Sequence, residues 1–175
     1  VDAGTRWPVA VLENADNPVS GGAADTPGLF RALMEMQPPW PVLFATFCDP
    51  GLVAQAHALG VGARIAAQLG GRLDTAFGEP VPFSGEVVEL TDGRFANTGP
   101  MERGRAESIG RTAMLRSGNV SVVVGETAQS VNDPAWCALH GVDPGAVALF
   151  CAKAKNHFRA GFGALCGAMV DVDTP

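Results

Sequence analysis

Two short segments of the sequence hold residue types that could bind or activate a small molecule. The first is the loop 15–26, ADNPVSGGAADT, whose glycines precede a predicted helix. Its backbone N–H groups and the positive end of the helix dipole could together hold an anion. The loop matches neither the Walker pattern nor G-x-G-x-x-G, so no motif supports a phosphate site. The alternative is a structural loop, in which Asp16 caps its own turn and Asp25 or Thr26 caps the helix.

The second segment, 153–162, reads KAKNHFRAGF and combines basic side chains with two phenylalanines. His157 could give or take a proton near neutral pH, and Arg159 could bind a carboxylate through two parallel hydrogen bonds. The structural alternative is a first helical turn in which both side chains bond nearby carbonyl groups. The nearest acidic residue is more than ten positions away in the sequence, so no catalytic partner is evident.

Common catalytic and metal-binding patterns are missing from the sequence. It has no G-x-S-x-G for a nucleophilic serine and no H-E-x-x-H for a zinc site. Cys137 and His140 form a single C-x-x-H pair, which falls short of the four ligands of a structural zinc site. The four cysteines are far apart, so we predict reduced thiols and no metal site within this chain.

The composition argues against two classes of partner. The net charge is −6 and the twelve Lys and Arg residues are scattered, whereas nucleic-acid binding depends on clustered basic residues. No apolar run approaches the roughly 20 residues that span a bilayer, and no signal-peptide pattern is present. We therefore predict a cytoplasmic protein without nucleic-acid or membrane partners. Charged residues make up only 17%, which favours a surface partly covered by another domain or subunit.

The elements that position both segments begin with an α/β unit. Buried strands are predicted at 6–14 and 41–47, and helices at 27–37 and 50–59. The proline and Asx residues before each helix are typical helix starts. This strand-helix-strand-helix order predicts at least one parallel strand pair joined by a right-handed crossover. Residues 63–69 fit either a helix or a strand.

The middle of the chain predicts antiparallel hairpins. Asp92-Gly93 provides the positive φ angles of a two-residue turn, so residues 84–97 are predicted to form one hairpin. Ser117-Gly118-Asn119 predicts a second hairpin over 111–126. Residues 98–108 have no hydrophobic period and are predicted to form a surface loop. The remaining predicted elements are a helix at 133–140, a strand at 146–152, a helix at 156–162 and a strand at 165–172. We predict one mixed α/β domain over residues 1–175.

Four motifs occur in order along nearly the whole chain, from about Trp7 to Asp173. They are Asp16-Asn17-Pro18 followed by a glycine loop and Asp25, then Thr91-Asp92-Gly93-Arg94-Phe95, then Asn97-Thr98-Gly99-Pro100-Met101, and finally His157-Phe158-Arg159-Ala160. In this order and spacing, the motifs resemble the C-terminal domain of the MlrC-type (microcystinase C) family of zinc metallopeptidases.

The resemblance implies a two-domain hydrolase that cleaves small or linearised peptides. It implies zinc held by Asp and His residues of an N-terminal domain, which would be the partner of this chain. This chain would then supply substrate-orienting groups and an interdomain surface. The implied candidates facing the cleft are Asp16 and His157 for catalysis, and Asn17, Gly21, Gly22, Asp25 and Arg159 for substrate binding. The alternative function is a non-catalytic module that binds a small anion or a partner chain, or that assembles into a homo-oligomer.

One departure from the family pattern bears on the substrate. Relatives usually have a run of glycines straight after Asp-Asn-Pro, whereas Val19-Ser20 precedes Gly21-Gly22 here. Two side chains therefore occupy positions where a bare backbone could approach a ligand closely. We expect the loop to bind a different substrate from that of its relatives, or none.

Overall fold

The computed structural model describes residues 6–172. Within this range ten strands and four α-helices follow in chain order: β1 (Val9–Glu13), α1 (Gly28–Met36), β2 (Val42–Cys48), α2 (Pro50–Leu59), β3 (Arg64–Leu69), β4 (Val81–Thr91), β5 (Arg94–Ala96), β6 (Ala106–Ser108), β7 (Thr112–Ser117), β8 (Val120–Gly125), α3 (Ala135–Leu139), β9 (Leu149–Ala152), α4 (Asn156–Phe162) and β10 (Ala168–Val172). Short 3₁₀ turns lie at Pro18–Ser20, Thr75–Phe77 and Pro144–Ala146.

Eight strands form one mixed sheet in the order β10-β1-β9-β2-β8-β7-β4-β3. The five strands from β10 to β8 are parallel to one another, and the last three pair in antiparallel fashion. Strands β5 and β6 form a separate antiparallel pair, which we call the small sheet. The predicted mixed α/β class is confirmed.

The parallel half of the sheet brings distant segments of the chain together. Strand β9 lies between β1 and β2, so these two strands are parallel but not neighbours. The carboxyl ends of β1, β2, β8 and β9 meet at one edge, which is where ligands bind in many open α/β sheets. The loop 15–26, the segment 126–134 after β8 and the segment 153–155 after β9 all start from this edge.

Helices cover both faces of the sheet. One apolar cluster contains Phe30 of α1 and Phe44 of β2, and a second contains Trp136 of α3 and Phe158 of α4. Leu43, the neighbour of Phe44, belongs to the second cluster, as expected when alternate side chains point to opposite faces. Burial on both faces explains why β2 is apolar along almost its whole length. Among the described helices, none is long and apolar enough to cross a membrane.

Several element ends follow from local signals. Helix α2 begins at Pro50 as predicted, because the Asp49 side chain accepts the N–H of Leu52 at 2.9 Å. Helix α4 occupies Asn156–Phe162 as predicted. The second hairpin is confirmed, with β7 and β8 paired up to Ser117 and Val120. Within the ambiguous segment 63–69, residues Arg64–Leu69 form a strand.

The predicted hairpin over 84–97 is wrong. Gly93 does turn the chain, with a φ of +73°, but β4 pairs with β3 and β7 while β5 pairs with β6. The Gly93 carbonyl accepts the N–H of Ile109 at 3.0 Å, and a Cβ on Gly93 would lie 1.8 Å from the Gly110 oxygen. This close packing directs the turn out of the main sheet and into the small sheet. The predicted loop 98–108 accordingly ends in a strand.

Candidate functional site

The Asp16 side chain joins the two ends of the loop 15–26 by hydrogen bonds. Its buried carboxylate accepts three backbone N–H groups from the far end of the loop. They belong to Ala24, Asp25 and Thr26, at 3.0, 2.6 and 2.8 Å. Burial acts to raise the pKa of Asp16, but the charge of Lys153 and the backbone hydrogen bonds together hold it below its usual value. Asp16 therefore stays ionised and gives a glycine-containing loop a defined shape. Helix α1 has no side-chain cap, so the predicted capping by Asp25 or Thr26 is wrong.

Asn17 and the two glycines shape the first half of the loop. Asn17 Oδ1 accepts the hydroxyl of Ser130 at 2.5 Å, which joins the loop to the segment after β8. Gly21 has a φ of +92°, in the region that favours glycine. A Cβ on Gly22 would lie 2.4 Å from the carbonyl carbon of Asp16. Glycine at position 22 is therefore required by close backbone packing.

Most of the backbone N–H groups of this loop are already paired within it. Those of residues 19 to 22 and 24 to 26 donate to oxygens of Asn17, Pro18 or Asp16. Anion binding at a glycine loop depends on N–H groups that point at the ligand. The geometry thus favours a structural loop over an anion cradle.

Lys153, which follows β9, is the buried centre of this region. Its ammonium lies 2.8 Å from the Glu13 carboxylate, 3.1 Å from that of Asp16 and 2.8 Å from the Thr26 carbonyl oxygen. The Lys153 side chain is completely enclosed. Because a buried charge is costly unless it is paired, Lys153 and the two carboxylates depend on one another. Lys153 is thus a structural cation.

Asp25 ties the loop to the β3–β4 connection. Its side chain accepts the N–H of Leu73 at 2.8 Å, and its carbonyl accepts that of Gly71 at 2.6 Å. A cleft of about 280 Å³ lies beside this junction. Leu73 and Phe77 line the cleft with 76% and 54% of their surface exposed. This side of the loop therefore presents apolar surface.

A second cavity, of about 270 Å³, lies between the carboxyl edge of the main sheet and the small sheet. We call it the carboxyl-edge pocket. Phe95, Ile109 and Trp136 form apolar parts of its wall, and Gln129, Asn132, Asp133 and His157 are among its polar residues. The loop contributes Val19 to the same wall. The pocket is therefore assembled from parts of the chain that are far apart in the sequence.

Asp133 holds the wall of the carboxyl-edge pocket in place. Its carboxylate accepts the backbone N–H groups of Thr98, Gly99 and Ala135 at 2.9, 2.8 and 2.9 Å. Burial acts to raise the pKa of Asp133, but these hydrogen bonds together hold it below its usual value. A Cβ on Gly99 would lie 2.7 Å from the Asp133 carboxylate. The Asn-Thr-Gly-Pro-Met motif is thus attached to the segment after β8.

Two side-chain amides of the pocket each have a buried polar atom without a hydrogen-bond partner in the described part of the chain. The atoms are Gln129 Nε2 and Asn132 Oδ1. The Trp136 indole N–H donates to Gln129 Oε1 at 3.3 Å. Because an indole N–H can only donate, this contact orients the Gln129 amide and directs its Nε2 elsewhere. An unpaired buried polar atom costs roughly 1–3 kcal/mol.

A chain of hydrogen bonds runs from the Trp136 carbonyl through the His140 ring to two threonine hydroxyls. The Trp136 carbonyl can only accept, so the proton of His140 is on Nδ1, 2.7 Å away. His140 Nε2 then accepts the Thr112 hydroxyl at 2.8 Å, and Thr112 accepts that of Thr91 at 2.7 Å. Burial lowers the pKa of His140 to about 4, opposed by the Trp136 carbonyl and the charge of Glu89. His140 is therefore neutral near pH 7, with both ring nitrogens engaged.

The candidate residues from the sequence divide between two places. His157 lines the carboxyl-edge pocket, and Asn17 contacts its wall through Ser130. Asp16, Gly22 and Asp25 line the apolar cleft on the other side of the loop. Arg159 is near neither, because its guanidinium binds the Asp171 carboxylate on β10 at 2.6 Å. The structure therefore does not bring His157 and Arg159 together, although only two positions separate them.

Sequence-based reasoning missed Gln129, Asn132 and Asp133 as pocket residues. The available signal was the run 126–133, ETAQSVND, which follows a strongly apolar strand. Polar residues just after a parallel strand lie at the edge where ligands bind. No signal could indicate that Lys153 pairs with Glu13, because 140 positions separate them in the sequence.

The described residues, 6–172, give no structural support for a metal site. In the part that the structure describes, no group of three or more His, Cys, Asp or Glu side chains is arranged to hold a metal ion. Asp16 and Asp133 already use their oxygens for backbone N–H groups. Cys137 is buried, and burial raises the pKa of its thiol to about 12.

Comparisons with known proteins agree with the fold and the motifs. Over 161 residues the chain is 26% identical to Microcystinase C from Sphingomonas sp, covering 92% of this chain and 31% of that protein. The crystal structure of a protein described as a "putative metallopeptidase" from Mesorhizobium sp. BNC1 matches with a TM-score of 0.86 and 29% identity, over 98% of this chain and 34% of that one. The chain thus spans about a third of the length of these relatives. The family model described as MlrC C-terminus matches residues 11–175, and the chain therefore belongs to the MlrC family, in its C-terminal part.

Proposed function

We propose that this chain is the C-terminal domain of a metal-dependent hydrolase that cleaves small or linearised peptides, and that it orients the substrate. The main support from the structure is the carboxyl-edge pocket, where His157 and two side-chain amides meet at the carboxyl ends of parallel strands. Family membership supports the hydrolase class, since the relatives include Microcystinase C and a protein described as a metallopeptidase.

Zinc is the metal that the family resemblance implies. Its Asp and His ligands would belong to the N-terminal part of the longer protein, because the described residues here offer no suitable group. The role left to this chain is to bind the substrate and to hold it in one orientation. An imidazole such as His157 can donate a hydrogen bond to a substrate carbonyl or accept one from a substrate N–H.

The rigidity of the pocket wall supports an orienting role. Asp133 attaches the Asn-Thr-Gly-Pro-Met motif through two backbone N–H groups, and Asn17 attaches the glycine loop through Ser130. Groups that are already ordered lose little entropy when they bind a substrate. Orientation of this kind contributes to catalysis without direct participation in bond breaking.

The surface around the loop supports contact with the N-terminal part of the protein. Val19 and Met101 beside the carboxyl-edge pocket are each about half exposed, and Leu73 and Phe77 beside the apolar cleft are more than half exposed. Exposed apolar side chains around concave polar sites are typical of surfaces that meet another domain. We propose that the glycine loop faces the interdomain cleft in the complete protein.

The test is to express the complete gene product and to measure amine release from a linear peptide. We expect hydrolysis that a chelator abolishes and added zinc restores, and none from residues 1–175 alone. His157→Ala should lower the activity of the complete product, whereas Lys155→Ala on the exposed surface should not. A complete product that binds no zinc and leaves linear peptides intact would overturn the proposal. It would favour the alternative of a non-catalytic partner-binding or assembly module.

A further inference from the structure

We propose that an apolar face of β1 and β10, away from the glycine loop, is the surface on which the N-terminal part of the longer protein packs. The proposal rests on the proposed function for the existence of that part. It concerns a different surface of the domain, and it requires neither a metal nor hydrolysis.

The register of three parallel strands defines this surface. Val9 of β1 lies beside Leu149 of β9 and Ala168 of β10. In the next row on the same face, Val11 lies beside Val170. We call the surface the open face, and it consists of Val9, Val11, Leu149, Ala168 and Val170. None of these side chains is charged, as is typical of the centre of a protein interface.

The apolar packing on this side of the sheet ends at the open face. Val11 and Leu149 are half-buried against the first apolar cluster, which includes Phe30 of α1. Val170 belongs to neither apolar cluster, and 49% of its surface is exposed. Ala168 is exposed as well. Because parallel sheets are almost always covered on both faces, the described residues leave this part of the sheet without its usual cover.

The side-chain pattern of β10 is the reverse of that expected for an edge strand in water. Met169 packs on the second apolar cluster, and Asp171 binds Arg159 of α4 on that same covered side. The other three residues of β10 are all apolar and point to the open side. A strand with one side in water normally has polar residues on that side. The sequence of β10 therefore fits a strand that is covered on both faces.

The path of the chain favours the N-terminal part as the occupant of the open face. Residues 6–8 run beside the start of β10, where the Gly167 N–H donates to the Pro8 carbonyl and the Arg6 guanidinium donates to the Ala164 carbonyl, at 2.9 and 2.6 Å. The chain matches the C-terminal part of its family and spans about a third of its relatives' length. A part that joins ahead of Arg6 therefore reaches this domain at the edge strand. Such a covalent link raises the effective concentration of the attached part at the open face, an advantage that a second copy of the chain lacks.

The experiment measures how fast N-ethylmaleimide labels a thiol introduced by Val170→Cys, in residues 1–175 alone and in the complete gene product. The control is Val61→Cys, because Val61 is 63% exposed and precedes β3 at the opposite edge of the sheet. We expect both thiols to react readily in residues 1–175. In the complete product, labelling at position 170 should slow about tenfold or more, since it would require local opening, whereas labelling at position 61 should not change. Peptide mass spectrometry distinguishes position 170 from the native Cys166.

Footprinting of the unmodified proteins with a diazirine reagent, which inserts into exposed side chains, gives the same comparison if a variant fails to fold. Equal labelling of position 170 in the two proteins would overturn the proposal. Slow labelling already present in residues 1–175 would also overturn it. In that case a dependence on protein concentration would identify a second copy as the occupant, and no dependence would identify the chain's own ends.

The labelling result is separable from the proposed hydrolase function, because it needs no turnover. A complete product that protects position 170 but cleaves no peptide would overturn the proposed function alone. An active product in which position 170 reacts as fast as in residues 1–175 would overturn this proposal alone.

Discussion

The ammonium of Lys153 lies 3.1 Å from the carboxylate of Asp16, and both side chains are enclosed by the protein. Asp16 follows β1 and Lys153 follows β9, so the ion pair joins the ends of two neighbouring parallel strands. Asp16 in turn holds the far end of the glycine loop. The loop geometry therefore depends on a residue from the last quarter of the chain.

Replacing Lys153 with methionine should be strongly destabilising. The variant removes the ammonium that Asp16 and Glu13 share in the interior, and breaking such a buried cluster costs about 3–5 kcal/mol. Urea unfolding followed by fluorescence measures the loss. Lys155→Met is the matched control, because Lys155 is exposed and should change the unfolding free energy by less than about 0.5 kcal/mol. Similar values for both variants would contradict the structural role of Lys153.

Gly22→Ala should distort the glycine loop. The new Cβ would lie 2.4 Å from the Asp16 carbonyl carbon, and such overpacking typically costs about 1–3 kcal/mol. Hydrogen exchange should become faster at the N–H groups of residues 24 to 26, which donate to Asp16. Gly51→Ala in α2 is the control, because its Cβ would meet no atom closer than 3.4 Å. Unchanged exchange at residues 24 to 26 would argue against the packing seen here.

Asp133→Ala should detach the Asn-Thr-Gly-Pro-Met motif from the pocket wall. The change leaves the N–H groups of Thr98, Gly99 and Ala135 without their acceptor, and we expect a loss of about 2–3 kcal/mol. Faster hydrogen exchange at Thr98 and Gly99 would show that the effect is local. The control is Asp143→Ala, since the exposed Asp143 side chain accepts one backbone N–H, from Gly145 at 2.9 Å. An equal loss in the two variants would count against this role of Asp133.

Stability should fall as the pH is lowered from 6.5 towards 4. The pKa of His140 is lowered from 6.5 to about 4 in the folded chain, so the unfolded state binds the extra proton first. The free energy of unfolding should therefore decrease by up to about 3 kcal/mol across this range. The lowered pKa values of Asp16 and Asp133 have the same sign but act at lower pH, below their ordinary value of 3.8.

His140→Gln isolates this contribution. Glutamine cannot titrate, so the variant should lose most of the pH dependence between 6.5 and 4 even though it is less stable overall. Urea unfolding at several pH values provides the comparison. A variant with the same slope as the unmodified chain would show that His140 is not the group responsible.

Elements with local signals were predictable from the sequence. The Asp49-Pro50 start of α2 and the bounds of α4 depend on residues next to one another in the chain, and both predictions are confirmed. The sequence also predicts the turn at Asp92-Gly93, which the structure contains. The strands on either side of this turn do not pair with each other. A turn specifies that the chain reverses, whereas the contact of Gly93 with Gly110 decides which strand becomes the neighbour.

The candidate site was predictable only in part, for the same reason. The loop 15–26 and His157 both lie at the carboxyl edge of the main sheet, and their place facing an interdomain cleft stays a prediction. Whether Asp16 binds a ligand or its own backbone depends on how the loop closes, which sequence spacing does not show. Lys153 and Arg159 are basic residues of one segment, and the sequence does not distinguish their roles. In the structure Arg159 pairs with Asp171 at the surface, whereas Lys153 is buried and pairs with Glu13.

The position of β1 in the sheet has a consequence for the order in which the molecule can fold. Its two partners are β9 and β10, which begin at Leu149 and Ala168. During synthesis, β1 and the glycine loop that follows it must wait for almost the entire chain before either neighbour exists. Contacts between such distant segments slow folding, because a long loop must close before the pairing stabilises it. A chain shortened before residue 149 should therefore fail to form this half of the sheet, and expose apolar β2 to aggregation.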